Sequence, residues 1–184
     1  RYDELVEMVT SVIGAASVGD PLDPTTVFGP VATAAQQASV RGLIRAGVEE
    51  GARVTLGGDV PAPVAGGAFV APTVFADVRA DMRIAQEEIF GPVVTILPAR
   101  DVDDAVAIAN STRFGLGGIV FGADEDAALR VARRVDTGSI GLNFFASNHF
   151  APFGGRHDSG LGLEYGVEGL SAYLTPQSVH RRAR

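Results

Sequence analysis

The chain has 184 residues, 15 Lys and Arg (all of them Arg) against 22 Asp and Glu, a formal net charge of −7, and no cysteine. That excludes disulfides, thiolate metal sites and a cysteine nucleophile within these residues, and without a basic face no nucleic-acid partner is expected. The longest apolar runs, such as PVVTILPA, are too short for a bilayer span, and Asp3, Glu4 and Glu7 stand where a signal peptide would be apolar, so no membrane partner and a cytoplasmic location are expected.

In chain order, Tyr2, Leu5, Val6, Val9, Val12 and Ile13 recur at helical spacing, with Asp3 and Glu4 at the end that favours acids. The chain opens on Arg1 with no initiator Met, as a piece of something longer would. VGDPLDPTTVFGP (18–30) is a turn-rich loop. A second helix is expected from near Thr33 to Glu50, burying Val40, Leu43, Ile44 and Val48 and ending at Gly51. VTLGG (54–58) reads as a strand and DVPAPVAGG (59–67) as a loop. FVAPTVFADV (69–78) reads as extended, and its Pro72 suggests an edge or irregular strand.

VVTIL (93–97) has the look of a buried strand. From Asp101 onward a helix (102–110), a strand (117–123), a helix after Asp124 burying Leu129, Val131, Ala132 and Val135, and a strand (139–144) follow in regular alternation. Such alternation predicts an α/β fold, a mostly parallel sheet flanked by helices. SAYLTPQSV (171–179) is a candidate edge strand, and the basic tail HRRAR is read as a solvated terminus. No internal repeat or inter-domain linker is visible.

Chemistry-bearing motifs are few. GLGLEYG does not fit a dinucleotide fingerprint, no phosphate-loop lysine exists, and His149, His157 and His180 lack metal-ligand spacing, so no metal is expected. Ser159, His157 and Asp158 offer the residue types of a hydrolase on one short loop, an arrangement that rarely converges on a substrate. The segment QEEIFGPVV (86–94) has two readings. In one, Glu87 and Glu88 close a helix, Phe90 anchors the core and Gly91-Pro92 turns into a strand. In the other, a carboxylate accepts hydrogen bonds from sugar hydroxyls beside an aromatic that packs on a planar ring.

The motifs VGDPLDPTT, QQASVRGLI with EEGARV, FVAPTVFADV, MRIAQEEIFGPVV, DDAVAIANSTRFGL, TGSIGLN and PFGG..DSGLGLEYG, in this order over nearly the whole length, resemble the NAD(P)-dependent aldehyde dehydrogenase superfamily. The chain looks like the C-terminal part of that family's catalytic domain, residues 1–170, followed by an oligomerisation-type strand and basic tail, residues 171–184. The resemblance implies that Glu88 binds the nicotinamide ribose hydroxyls and that Phe90 packs near the nicotinamide. It implies further that Phe153, with Phe144 and Phe145, lines the aldehyde tunnel. NAD or NADP is then the cofactor of the full-length protein, with none bound by this chain alone. An aldehyde is the small-molecule substrate, and a homo-oligomer, dimer or tetramer, is the expected assembly. Two positions depart from the family pattern: His157 stands where Lys is usual and Leu163 where Arg is frequent. The nucleophilic cysteine, general-base glutamate, oxyanion-hole asparagine and cofactor domain would precede Arg1, so no catalytic residue is expected here and the isolated chain should be inactive. A native non-catalytic remnant serving binding or oligomerisation is the alternative.

Overall fold

The computed structural model describes residues 1–61 and 64–183. Ala62 and Pro63, in the loop expected at 59–67, and Arg184, at the end of the basic tail, lie outside the described residues. The chain divides into two units, Arg1–Asp101 and Val102 onward.

In the first unit, α1 (Tyr2–Gly14) and α2 (Ala34–Glu49) precede β1 (Arg53–Leu56), β2 (Thr73–Ala76), α3 (Arg83–Gln86) and β3 (Val93–Thr95). Thr33 caps α2 by accepting from the Gln36 N–H at 3.1 Å, satisfying a donor that has no intrahelical partner. Gly51, at φ +91°, ends the helix where an L side chain would be strained. The sheet order is β1-β2-β3, β1 antiparallel and β3 parallel to β2.

Side-chain alternation on β2 builds two cores. Phe75 points to the face where Val40, Leu43 and Ile44 of α2 meet Val78, Met82 and Ile84. Val74 and Ala76 point to the other, where Val6 and Ile96 are joined by Tyr2, Val9 and Ile13 of α1. The expected edge or irregular strand around Pro72 is therefore the fully buried centre of the sheet. Proline is tolerated there because it precedes the strand, and the ladder starts one residue later with Thr73 N–H donating to Pro92 O at 2.9 Å. Val48, expected inside, is exposed, as are Leu5 and Val12.

The second unit contains α4 (Val102–Ala109), β4 (Phe114–Gly115), β5 (Gly117–Val120), α5 (Glu125–Ala132), β6 (Ser139–Leu142), β7 (Arg156–His157) and α6 (Gly166–Ser171). β5 and β6 are parallel and joined through α5, the βαβ connection that the alternation predicts. β4 and β7 form a short antiparallel pair. Both units are thus α/β, with small sheets flanked by helices, and parallel pairs alternate with antiparallel ones. Asp124 caps α5 through Ala127 N–H at 3.0 Å. On α5, Ala128 and Ala132 are buried while Leu129 and Val131 are half-buried. The expected strand over 171–179 is not formed: α6 ends at Ser171, a turn follows, and the described residues beyond it enter no ladder. A strand needs a neighbouring backbone to pair with, and none of the described residues supplies one.

Candidate functional site

In the first unit, QEEIFGPVV divides between support and display. Glu87 is the C-cap of α3 and its carboxylate holds Arg83, one turn back, at 3.1 Å. Glu88 lies beyond the cap and is exposed, and its carboxylate has no hydrogen bond or ion pair among the described residues. Ile89 packs on the core. Phe90 does not: the residue is 72% exposed and its backbone sits at φ +50°. The core-anchor reading of Phe90 thus fails, and the anchor is its neighbour Ile89.

A left-handed, non-glycine residue costs on the order of 1–3 kcal/mol and persists only where its surroundings enforce it. Here Gln36, in the first turn of α2, donates its Nε2 hydrogens to Phe90 O at 2.9 Å and, more weakly, to Ile89 O at 3.4 Å. Gly91 lies so close to α2 that a Cβ would come within 2.7 Å of Val40 Cγ1. The turn is pressed against one helix and its two carbonyls are held by that helix, leaving the Glu88 carboxylate and the Phe90 ring facing outward. An unpaired carboxylate can accept hydrogen bonds from hydroxyl groups, and an exposed flat ring beside it can pack on a planar group.

In the second unit, Phe144, Phe145 and Phe153 are brought to one cavity of about 360 Å³, whose lining also includes Ser147, Asn148 and Tyr165. Phe153 is set by a two-way backbone bridge to Glu164, its N–H donating at 2.8 Å and its carbonyl accepting at 2.7 Å. The Tyr165 ring stands 6.1 Å from that of Phe153 and meets the His149 ring edge-on at 4.7 Å. The PFGG glycines permit this packing, since a Cβ on Gly154 would fall 2.5 Å from Gly162 O. An aromatic wall with a few hydroxyl and amide groups accommodates an apolar small molecule with one polar end. Tyr165 was not singled out from sequence, although an aromatic within the Gly-rich LEYG stretch was its available signal.

The hydrolase residue types go to separate partners. His157 Nε2 lies 2.7 Å from Asp136 Oδ2, Asp158 takes Arg113 at 2.9 Å, and Ser159 Oγ accepts from Gly115 N–H at 3.0 Å. They fasten β7 and its following turn to the rest of the unit. Asp136 also accepts from Arg156, and these two bonds, Arg156 first and then His157, hold its carboxyl below the usual carboxylate range. Among the described residues no group of His, Cys, Asp and Glu could hold a metal, and no helix is long and apolar enough to cross a membrane.

A model of the aldehyde dehydrogenase family matches residues 1–179. Among curated relatives, a geranial dehydrogenase of Castellaniella defragrans is 47% identical over 180 residues, covering 98% of this chain and 37% of its own length. An NADP(+) succinate-semialdehyde dehydrogenase of Deinococcus radiodurans is 41% identical, covering 97% of this chain and 37% of its own. Among solved structures, a Mycobacterium tuberculosis aldehyde dehydrogenase complexed with NAD+ superposes with a TM-score of 0.90 at 44% identity, over 94% of this chain and 36% of that one. A mutant aldehyde dehydrogenase C of Pseudomonas syringae, in complex with NAD+ and octanal, gives 0.89 at 45% identity, over 95% and 36%. The chain therefore spans a little over a third of the length of the proteins it matches.

Proposed function

This chain belongs to the aldehyde dehydrogenase family, and we propose that it is the C-terminal part of the catalytic domain of a longer enzyme that oxidises an aldehyde to a carboxylic acid with NAD or NADP. The observation that carries the reading is the turn after α3, where Phe90 is held exposed at φ +50° beside an unpaired Glu88. Glu88 would accept hydrogen bonds from the nicotinamide ribose hydroxyls, and Phe90 would pack beside the ring. When bound, the cofactor supplies the hydride acceptor. This chain contributes orientation of that acceptor through Glu88 and Phe90, and an aromatic wall for the aldehyde through Phe144, Phe145 and Phe153. It has no cysteine, so the nucleophile of the reaction belongs to the part of the enzyme outside these residues, and these residues alone should not turn over aldehyde. Assembly as a homo-oligomer is part of the same reading. Residues 174–179 have unladdered backbone and exposed Leu174 and Val179, the state of a strand that finds its neighbour in another subunit.

Two measurements test this. The intact mass of the natural polypeptide containing QEEIFGPVV should exceed that of 184 residues and include a cysteine upstream; a mass equal to this chain would favour a non-catalytic binding or assembly module. In the longer protein, Glu88→Gln should weaken NAD(P)+ binding roughly 10- to 100-fold, since a hydrogen bond to a charged group contributes about 1.5–3 kcal/mol. An unchanged Kd would remove Glu88 from the cofactor site.

A further inference from the structure

Strand β6 does not run straight into Phe144 and Phe145. Its ladder with β5 ends at the Val120–Leu142 pair. Asn143 adds one more backbone rung, its N–H donating to Val120 O at 2.9 Å, and its main chain then turns away at φ +55°. The side chain continues the ladder in its place. Oδ1 accepts from Gly122 N–H at 2.8 Å and Nδ2 donates to Gly122 O at 2.9 Å. The Asn143 amide therefore copies a peptide unit, satisfying both polar groups of Gly122 while the backbone is free to leave the sheet.

The exit is tight. A Cβ on Gly141 would lie 2.0 Å from Phe144 O, so the chain folds back over its own strand, and a Cβ on Gly117 would meet the Phe145 ring at 3.8 Å. Gly141 makes the room, and Asn143 supplies both the turn and its lock. Asn is among the few residues that adopt this conformation readily. Asn143 is not part of the cavity lining, whereas Phe144 and Phe145, which follow it, are.

We infer that Asn143 is a positioning residue for substrate selection: by clamping Gly122 it fixes where Phe144 and Phe145 stand on the cavity wall, and so sets which aldehyde chain lengths are preferred. The inference rests on the reading of this cavity as the aldehyde site. Releasing the clamp lets both rings shift, and a loosened apolar wall loses discrimination between homologues that differ by methylenes.

The test uses the full-length protein at saturating NAD(P)+ with straight-chain aldehydes from butanal to decanal. Asn143→Gly keeps the backbone angle accessible and removes both side-chain bonds. Asn143→Asp keeps the shape but sets a carboxylate oxygen against Gly122 O. If Asn143→Gly does not fold, Asn143→Asp carries the test alone. The expected result is a fall of about tenfold in the ratio of kcat/KM between the best and worst chain lengths, the scale on which an apolar pocket distinguishes methylenes, with KM for NAD(P)+ unchanged. Phe144→Ala and Phe153→Ala are run beside them. If these alter the ratio and the Asn143 variants leave it within twofold of the parent, or lower every substrate equally, the positioning role is overturned and the cavity assignment stands. If the Phe variants leave the ratio unmoved, the cavity is not the aldehyde site and the inference falls with it.

Discussion

The two units bury their apolar residues very differently. In the first, β2 is covered on both faces, and Phe75, Ile44, Val40, Val74, Val78 and Met82 are essentially inaccessible. In the second, the buried hydrophobic residues among those described are Val106, Ala128 and Ala132, while Phe121, Phe144, Phe150, Leu161 and Tyr173 lie open. The first unit carries its own core. The second holds its shape through backbone bridges, close glycine contacts and ion pairs, and much of its apolar surface is available to something else: the aldehyde at the Phe144–Phe153 cavity, and further protein elsewhere, on the reading proposed above. Even in the first unit the surface is not uniform, since Phe90 is displayed by a scaffold that buries its neighbour Ile89.

The sharpest way to break this comparison is to truncate one phenylalanine in each unit. Phe75→Ala removes a ring from a closed core and should destabilise by about 3–5 kcal/mol. Phe150→Ala, at a residue 95% exposed, should change stability by no more than about 0.5 kcal/mol. Denaturant midpoints at constant m-value measure both. Comparable losses would mean that the second unit buries Phe150 against a partner and that the contrast belongs to the isolated chain alone.

Gly91→Ala probes the boundary between core and display with a smaller effect. The new methyl meets two Val40 carbons at 2.7 and 2.8 Å, and relieving such overpacking costs about 1–3 kcal/mol. Because Gly91 follows Phe90, the same change should weaken NAD(P)+ binding in the longer protein more than its loss of stability accounts for. A thermal shift with unaltered cofactor affinity would show that the ring is displayed independently of the α2 contact.

What was legible in the sequence was periodic. Val40, Leu43 and Ile44 repeat at helical spacing and do lie on the buried face of α2, and the strands expected at 117–123 and 139–144 contain the parallel pair β5–β6, which stops earlier, at Val120 and Leu142. Composition alone left Glu88 and Phe90 ambiguous, because the segment serves a helix end and a displayed turn equally well; the family resemblance, not the periodicity, singled them out. Pro72 misled, since a proline immediately before a central strand reads locally like a proline within an edge strand. Gln36 and Asn143 were invisible for another reason. Each acts through a side-chain amide on a backbone distant in sequence, 54 and 21 residues away, and such bonds leave no periodic trace. The expected strand at 171–179 finds no neighbouring backbone among the described residues, and a run of side chains does not itself say whether a backbone will pair with it.

The smallest expected effect concerns how the second unit is held together without a large core. Asp136 accepts from Arg156 and His157, tying β7 to the residues just before β6. Its folded-state pKa is depressed, so the stabilisation from this group is fully present above the unfolded carboxylate value of about 3.9 and is lost as pH falls below it toward the folded pKa. Between pH 7 and about 5 Asp136 therefore contributes nothing to any change in stability. Below about 4, amide exchange at Gly155 to Ser159, normalised for its intrinsic pH dependence, should accelerate relative to β2, whose protection comes from apolar burial. Asp136→Asn should bring that faster exchange to neutral pH and flatten its response to acid. If the 155–159 amides of the variant stay as protected as those of the parent at pH 7, the loop is held by its glycine packing and the Ser159–Gly115 bond. The two units would then differ in which groups are buried, but not in their dependence on charge.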